Sequence, residues 1–257
     1  MARFSVAQLA TFYRQQGIAV DGFRCPHKAL CRKAAAPRNL HHGAEALVGE
    51  RYGTPLRIVV VSLSMANGSR RLEDRTADSE WLQDPATKLN QHMRGTLDIL
   101  QAILPEISGR KAFGHFSLTN AAKCSLKGTG NKSPDECFVN CARFVLPELE
   151  VLAPRLVISQ GRQAGDPLRS TSADLRAGVL EKLVANCTPR AHPLVKGMLR
   201  EIFNEHLHML RTQTLAAVWL ELVHPSARGG QWSRIKRLRL APLLGWATRS
   251  LAEQLRP

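Results

Sequence analysis

"FSLTNAAKC", residues 116–124, is the stretch on which the reading of this chain turns. An apolar and hydroxyl-bearing run ends on Asn120, and Cys124 follows four residues later. A buried asparagine must satisfy both halves of its amide. A cysteine in such a place serves as packing, nucleophile or metal ligand. The run itself reads as a strand, and three others stand around it. "PLRIVVVSLS" (55–64) is a continuous β-branched run suited to a strand buried on both faces. "PRLVISQG" (154–161) is another, closed by Gly161, and "LAAVWLELVHPSARGG" (215–230) carries a last strand into a polar loop.

Helical patterns fill the intervals. Ser5 to Gln16 places Leu9, Phe12 and Tyr13 on one side, and Leu89, Met93, Leu97, Leu100 and Leu104 keep helical spacing from Lys88 to Leu104. Ser133, Pro134 and Glu136 form a capping box for a helix that carries Cys137 and Cys141 and is expected to bend or end near Pro147. "MANGSRRLEDRTADSEW" (65–81) reads as a polar loop, and the stretch from about 165 to 200 as helices broken by Pro189 and Pro193. A helix from Pro242 ends the chain, its two faces suiting either the core or a partner.

Strands alternating with helices predict an α/β fold: a three-layer α/β/α sandwich around a central, mainly parallel four-stranded sheet. Ligands in such sheets bind beyond the carboxyl ends of the strands, where Asn120, Gly161 and His224 stand. No repeat or long linker divides the chain, so one domain is expected over 1–257, with a cysteine-bearing N-terminal segment of about 1–45.

Lys and Arg number 36 against 21 Asp and Glu, a formal charge of +15 over 257 residues. Such a field attracts polyphosphate, and nucleic acid is the expected partner. No apolar run approaches the ~20 residues that span a bilayer, and the amphipathic start lacks the core of a signal peptide. A cytoplasmic monomer is expected. Six cysteines in a reducing compartment do not form a disulfide framework. The close pairs, Cys25 with Cys31 and Cys137 with Cys141, favour metal or cluster ligation.

"FSLTNAAKC", then "CARFVLPELEVLAPRLVISQG" (141–161), then the "HPS" loop at 224–226, together resemble the iron–sulfur members of the uracil-DNA glycosylase superfamily. The resemblance implies a DNA glycosylase. Asn120 matches the base-reading asparagine, and His224 the catalytic histidine, which donates to the O2 of the departing base. Cys124 and Cys141 match cluster ligands, and Cys25 and Cys31 complete four thiolates for a [4Fe–4S] cluster. Five residues separate Cys25 from Cys31 where the family has two, Cys137 is an alternative fourth ligand, and zinc also suits four thiolates. Ser64, at the end of the first strand, and Trp81, near the family's stacking aromatic, are further base-binding candidates.

The departure lies in "SLSMANGSRRLEDR" (62–75), which replaces the family's Gly-Glu-Ala-Pro-Gly type segment. Asn67, Glu73, Asp74 and Asp78 are the groups left to position water. A remodelled wall points from uracil towards a modified pyrimidine, for example glucosylated hydroxymethylcytosine of phage DNA, excised in defence. Arg228, Arg234, Lys236, Arg237 and Arg239 are candidate DNA contacts, as are Arg24, Lys28, Arg32 and Lys33 around the first cysteines. Two rivals are a non-catalytic nucleic-acid-binding iron–sulfur protein on the same scaffold and a small-molecule nucleoside hydrolase.

Overall fold

The computed structural model describes residues 4–64, 70–126, 133–187, 193–225 and 241–255. The chain opens with helices α1 (Val6–Gln15) and α2 (Lys28–Ala35), then short strands β1 (Leu40–His42) and β2 (Leu47–Val48). Next come β3 (Ile58–Ser64), α3 (Leu72–Gln83), α4 (Gln91–Ile103), a 3-10 turn (Gly109–Gly114), β4 (Phe116–Ala122) and β5 (Cys124–Leu126). Helix α5 (Asp135–Leu152), β6 (Leu156–Gln160), α6 (Arg162–Arg169), β7 (Ser172–Asp174), α7 (Ala177–Cys187) and α8 (Pro193–His206) follow. A hairpin of β8 (Leu207–Arg211) and β9 (Ala216–Leu222) precedes the last helix, α9 (Ala241–Gln254).

Seven strands form the main sheet in the order β2-β4-β3-β6-β9-β8-β7. The four central strands, β4, β3, β6 and β9, run parallel, as the apolar runs predict. Antiparallel β2 borders one side and antiparallel β8 and β7 the other, so the sheet is mixed and wider than four strands. These edge strands are two to five residues long and leave no apolar run to read.

Successive residues of a strand face opposite ways, and β3 shows the result. Ile58 and Val60 pack into a core with α4, α7, α8 and α9. Val59 and Val61 pack on the other face with α1, α5 and α6. All four are fully buried, each contributing about 1.5–3 kcal/mol of burial. This is the three-layer α/β/α arrangement expected.

Several local expectations are revised. Residues 72–83 are helix rather than loop: the buried side of α3 alternates Leu72 and Leu82 with the polar Arg75 and Ser79, so its apolar stripe is broken, and Ser79 Oγ donates to the Phe113 carbonyl at 3.2 Å. Ser133 does not cap α5; its hydroxyl donates to the Cys124 carbonyl at 2.8 Å, and Pro134 takes the cap position. Helix α5 runs through Pro147 and ends one turn later at left-handed Ala153. Pro193 begins α8, a first-turn place where its missing N–H costs nothing, while Pro189 lies outside the described residues. Helix α9 packs on α4, burying Leu244, Ala247 and Leu251. No described helix is long and apolar enough to cross a membrane.

Candidate active site and cysteine centre

The carboxyl ends of the four parallel strands gather one set of side chains. Asn120, near the end of β4, stands opposite Ser62 of β3. It is 3% exposed, and its Oδ1 is buried without a hydrogen-bond partner. Two strands away Gln160 closes β6, and Gly161 follows with φ +106°, a left-handed conformation that suits glycine. A Cβ there would come within 3.0 Å of Leu63 and 3.5 Å of the His224 Cβ. Gly161 therefore lets His224, two residues beyond β9, approach the end of β3.

The histidine loop is gripped from α4. The rings of His92 and His224 stack at 4.8 Å with an interplanar angle of 15°. One turn on, Gly95 lies so close to Pro225 that a Cβ would sit 2.4 Å from the proline Cβ. His92 Nε2 lies 2.6 Å from Gln160 Oε1 and 3.2 Å from Ser62 Oγ. Burial, then proximity to His92, lowers His224 to a pKa of about 4, so its ring is neutral at physiological pH. Burial also lowers His92, offset in part by the bond to Gln160. Both rings can donate one hydrogen bond without carrying charge.

The other sequence candidates divide. Ser64 ends β3 opposite Ala122, half-buried at the same edge. Glu73 is not brought to the histidine: it lines a cleft against α1 with Arg14, Asp21 and Glu45, and pairs with Arg71 at 3.8 Å. Asp78 sits along α3 near the buried Arg75. Trp81, 57% exposed, lies two residues past Ser79, which bonds to the residue range entering β4. That is the amino end of the strand, so Trp81 is a surface residue of α3 and does not join Asn120. Asn67 and the basic residues Arg228, Arg234, Lys236, Arg237 and Arg239 lie outside the described residues.

A second centre forms on the α1–α5 face. Strand β1 pairs antiparallel with β5, setting His42 opposite Cys124 and tying the N-terminal segment to the end of the Asn120 motif. Cys25, Cys31, Cys124, Cys137 and Cys141 are all buried and influence one another electrostatically. Burial, then the neighbouring thiols, pushes Cys124 and Cys137 far up. Burial lifts Cys141 to about 11, against the Lys123 amide and ammonium, which favour its thiolate.

Four of the five sulfurs receive N–H donors. Lys123 N donates to Cys141 at 3.3 Å and Asn140 Nδ2 to Cys31 at 3.4 Å. Cys25 takes the His27 amide, and Cys124 has the Gly43 amide and His42 Nδ1, the latter at 3.5 Å. Cys137 differs: its electrostatic partners are other thiols, with a bond to Cys31. Among the described residues no group of three or more His, Cys, Asp or Glu side chains is arranged to hold a metal ion. Thiols are the donor type that iron–sulfur clusters take, and these five lie buried on one face.

Between the two centres lies a buried ionic network that the sequence reading did not find. Lys123 Nζ bonds Glu148 Oε2 at 2.5 Å and Thr119 Oγ1 at 2.8 Å. Thr119 donates to the same carboxylate at 2.8 Å, and Tyr13 donates to its other oxygen. Tyr13 was legible as a core residue of α1, but its hydroxyl partner is 135 positions away. His92 escaped notice because it stands at a polar position of an amphipathic helix. Its one signal is placement in the first turn after an Asn90 cap, where α4 begins.

No curated protein matches the chain. The sequence model of the uracil DNA glycosylase superfamily matches residues 64–244, more than half of the chain, from the last residue of β3 through β4, β6, β9 and the histidine loop. With Asn120 and His224 at the carboxyl ends of those strands, the chain belongs to the uracil DNA glycosylase superfamily.

Proposed function

We propose that the protein is a monofunctional DNA glycosylase acting on a flipped-out pyrimidine. The observation that carries this reading is the buried, unpartnered Oδ1 of Asn120 across the strand ends from neutral His224. Leaving an acceptor buried and unpaired costs about 1–3 kcal/mol, a cost that a ligand with an N–H edge removes. Uracil offers N3–H and a cytosine-type base its 4-amino group, with an acceptor alongside for the Asn120 Nδ2. Three strand spacings of about 4.8 Å separate the two backbones, room for a planar base between the side chains.

The target base leaves the duplex stack to enter such a pocket. The bond between C1′ and N1 then breaks, its electron pair going to the base. A water oxygen adds to C1′ and gives up a proton. His224 donates to O2, a bond that strengthens as the anion develops. Its lowered pKa keeps it an uncharged donor, so it stabilises the leaving base without first having to lose a proton. Lys123, the one buried lysine of the motif, is held by Glu148 and Thr119, which supports hydrolysis by water over a lysine adduct. With Glu73 and Asp78 elsewhere, Asn67 in the segment after β3 is the group we assign to the water.

The departure of residues 62–75 from the family segment supports a modified pyrimidine, such as a glucosylated hydroxymethylcytosine, over uracil. The +15 charge supports DNA as partner. Cys25, Cys31, Cys124 and Cys141 would hold a [4Fe–4S] cluster, which would pin the N-terminal segment to the sheet. The test is abasic-site formation on duplex and single-stranded DNA carrying uracil, hydroxymethylcytosine or its glucosylated form, with His224→Ala as control. Product on any of these, lost in His224→Ala, supports the reading. Silence on all, with DNA still bound, gives the chain to the non-catalytic reading.

A further inference from the structure

His92 belongs to no part of the function described so far, yet it stands in a closed set of hydrogen bonds. Thr96 Oγ1 donates to the His92 carbonyl at 3.0 Å. Its oxygen therefore accepts from Gln160 Nε2, at 2.9 Å. That bond turns Gln160 Oε1 towards His92 Nε2, at 2.6 Å. Since an amide oxygen only accepts, Nε2 carries the proton. The chain of bonds begins and ends on His92: carbonyl, hydroxyl, amide, imidazole. Ser62 Oγ, 3.2 Å from the same nitrogen, ties this loop to the residue opposite Asn120. His92 is thus fixed in one tautomer and one ring orientation, and its locked ring lies flat on His224.

We infer that His92 is a positioning residue for His224, a plate held by the Thr96–Gln160 loop that sets the plane of the neighbouring imidazole. This rests on the reading that His224 donates to the base. The stack matters because His224 has left its strand two residues earlier and stands in a loop, where the α4 ring bears directly on its plane. A hydrogen bond weakens steeply as its angle falls below about 120°, so a tilted ring would lose the transition-state contact while the DNA is still held. The contact of Gly95 with Pro225, on the same face of α4, fixes the loop's backbone as the stack fixes its ring.

The experiment compares single-turnover excision and duplex Kd for His92→Ala, His92→Phe and Thr96→Val, with imidazole ¹⁵N and ¹H NMR on the same proteins. His92→Ala is expected to slow excision by about 10–10²-fold, the scale of a misplaced catalytic group, with Kd unchanged. His92→Phe restores a flat ring and recovers most of the rate, and Thr96→Val, which unlocks the amide, falls between. In the spectra, wild-type His92 is the Nε2–H tautomer at neutral pH, and His224 loses a ring-current shift in His92→Ala. A His92→Ala rate within about twofold of wild type overturns the inference, as does a matching loss of binding. His92→Phe as slow as His92→Ala does so too. Should wild type excise none of the bases, the glycosylase reading fails by itself, and unchanged His224 resonances in His92→Ala then overturn this one. Should the substituted proteins not fold, an Nδ1–H tautomer for wild-type His92 does the same.

Discussion

The two centres are built in opposite ways. At the strand ends, nearly every polar group has found a partner within the fold. His92, Gln160, Thr96 and Ser62 satisfy one another, and among the described residues there Asn120 Oδ1 is an acceptor left without a partner. In the cysteine centre, five buried thiols lie on one face, and for Cys25, Cys124, Cys137 and Cys141 burial, then the neighbouring thiols, opposes ionisation. The first is prepared for one incoming group of matching shape. The second is a concentration of latent negative charge whose N–H donors anticipate thiolates. The difference teaches that one fold can satisfy its polar groups at one end of the sheet and crowd un-ionised thiols against the α1–α5 face.

That contrast can be broken most decisively at the cysteines. Cys141→Ser is expected to abolish the brown colour and the absorbance near ~400 nm of an iron–sulfur protein. Cys137→Ser, whose sulfur has only thiol partners, should keep both. The reverse pattern would reassign the fourth ligand. Next in size is Lys123→Met, which strands Glu148 with Arg75 as the remaining nearby cation. Breaking a buried pair in this way costs about 3–5 kcal/mol, and a melting curve should fall by roughly 6–20 °C. An unchanged melting temperature would show that the network contributes nothing to holding the regions together.

At the strand ends, His224→Ala should slow excision by about 10²–10³-fold while duplex binding persists. Equal loss of binding would make His224 a DNA contact instead. The smallest effect is one of pH. Because His224 titrates at about 4, excision should be flat from pH 8 to pH 5. An inflection near the ordinary imidazole value would place the ring in a more solvated setting. Stability follows the same linkage. His224 and His92 are lowered in the folded state, so the unfolded chain binds protons first. Their contribution to stability is present above the unfolded pKa and is lost as pH falls from there through the lowered folded values, about 4 for His224.

The four central strands were legible because strands buried on both faces must be apolar throughout, as in "RIVVV" and "RLVIS". Asn120 and His224 were legible because each ends such a run. Helix α3 was not, since its inner side interrupts the apolar Leu72 and Leu82 with Arg75 and Ser79, and Ser79 is satisfied by a backbone carbonyl. Trp81 was placed by its distance from β3 along the chain, but twelve helical residues carry α3 about 18 Å, back to the other end of the sheet. His92 could not be read at all: its meaning depends on Gln160 and His224, 68 and 132 positions away, which only the packing of α4 brings to it. The N–H···S contacts of the cysteine centre depend in the same way on the pairing of β1 with β5.

The quartet of Tyr13, Thr119, Lys123 and Glu148 has a consequence for how the chain can diverge. Each member sits on a different segment or turn of the chain and bonds to another of the four, and the Tyr13 hydroxyl also accepts from the Ala46 amide at 2.9 Å. A lineage that loses one leaves a charge or hydroxyl stranded in the interior and becomes less stable before any second change can repair it. These four positions are therefore expected to change together or to stand still. A change at half-buried Ser64, a strand-end position outside that quartet, carries no such toll, and new specificities can arise there while the link beneath stays as it is.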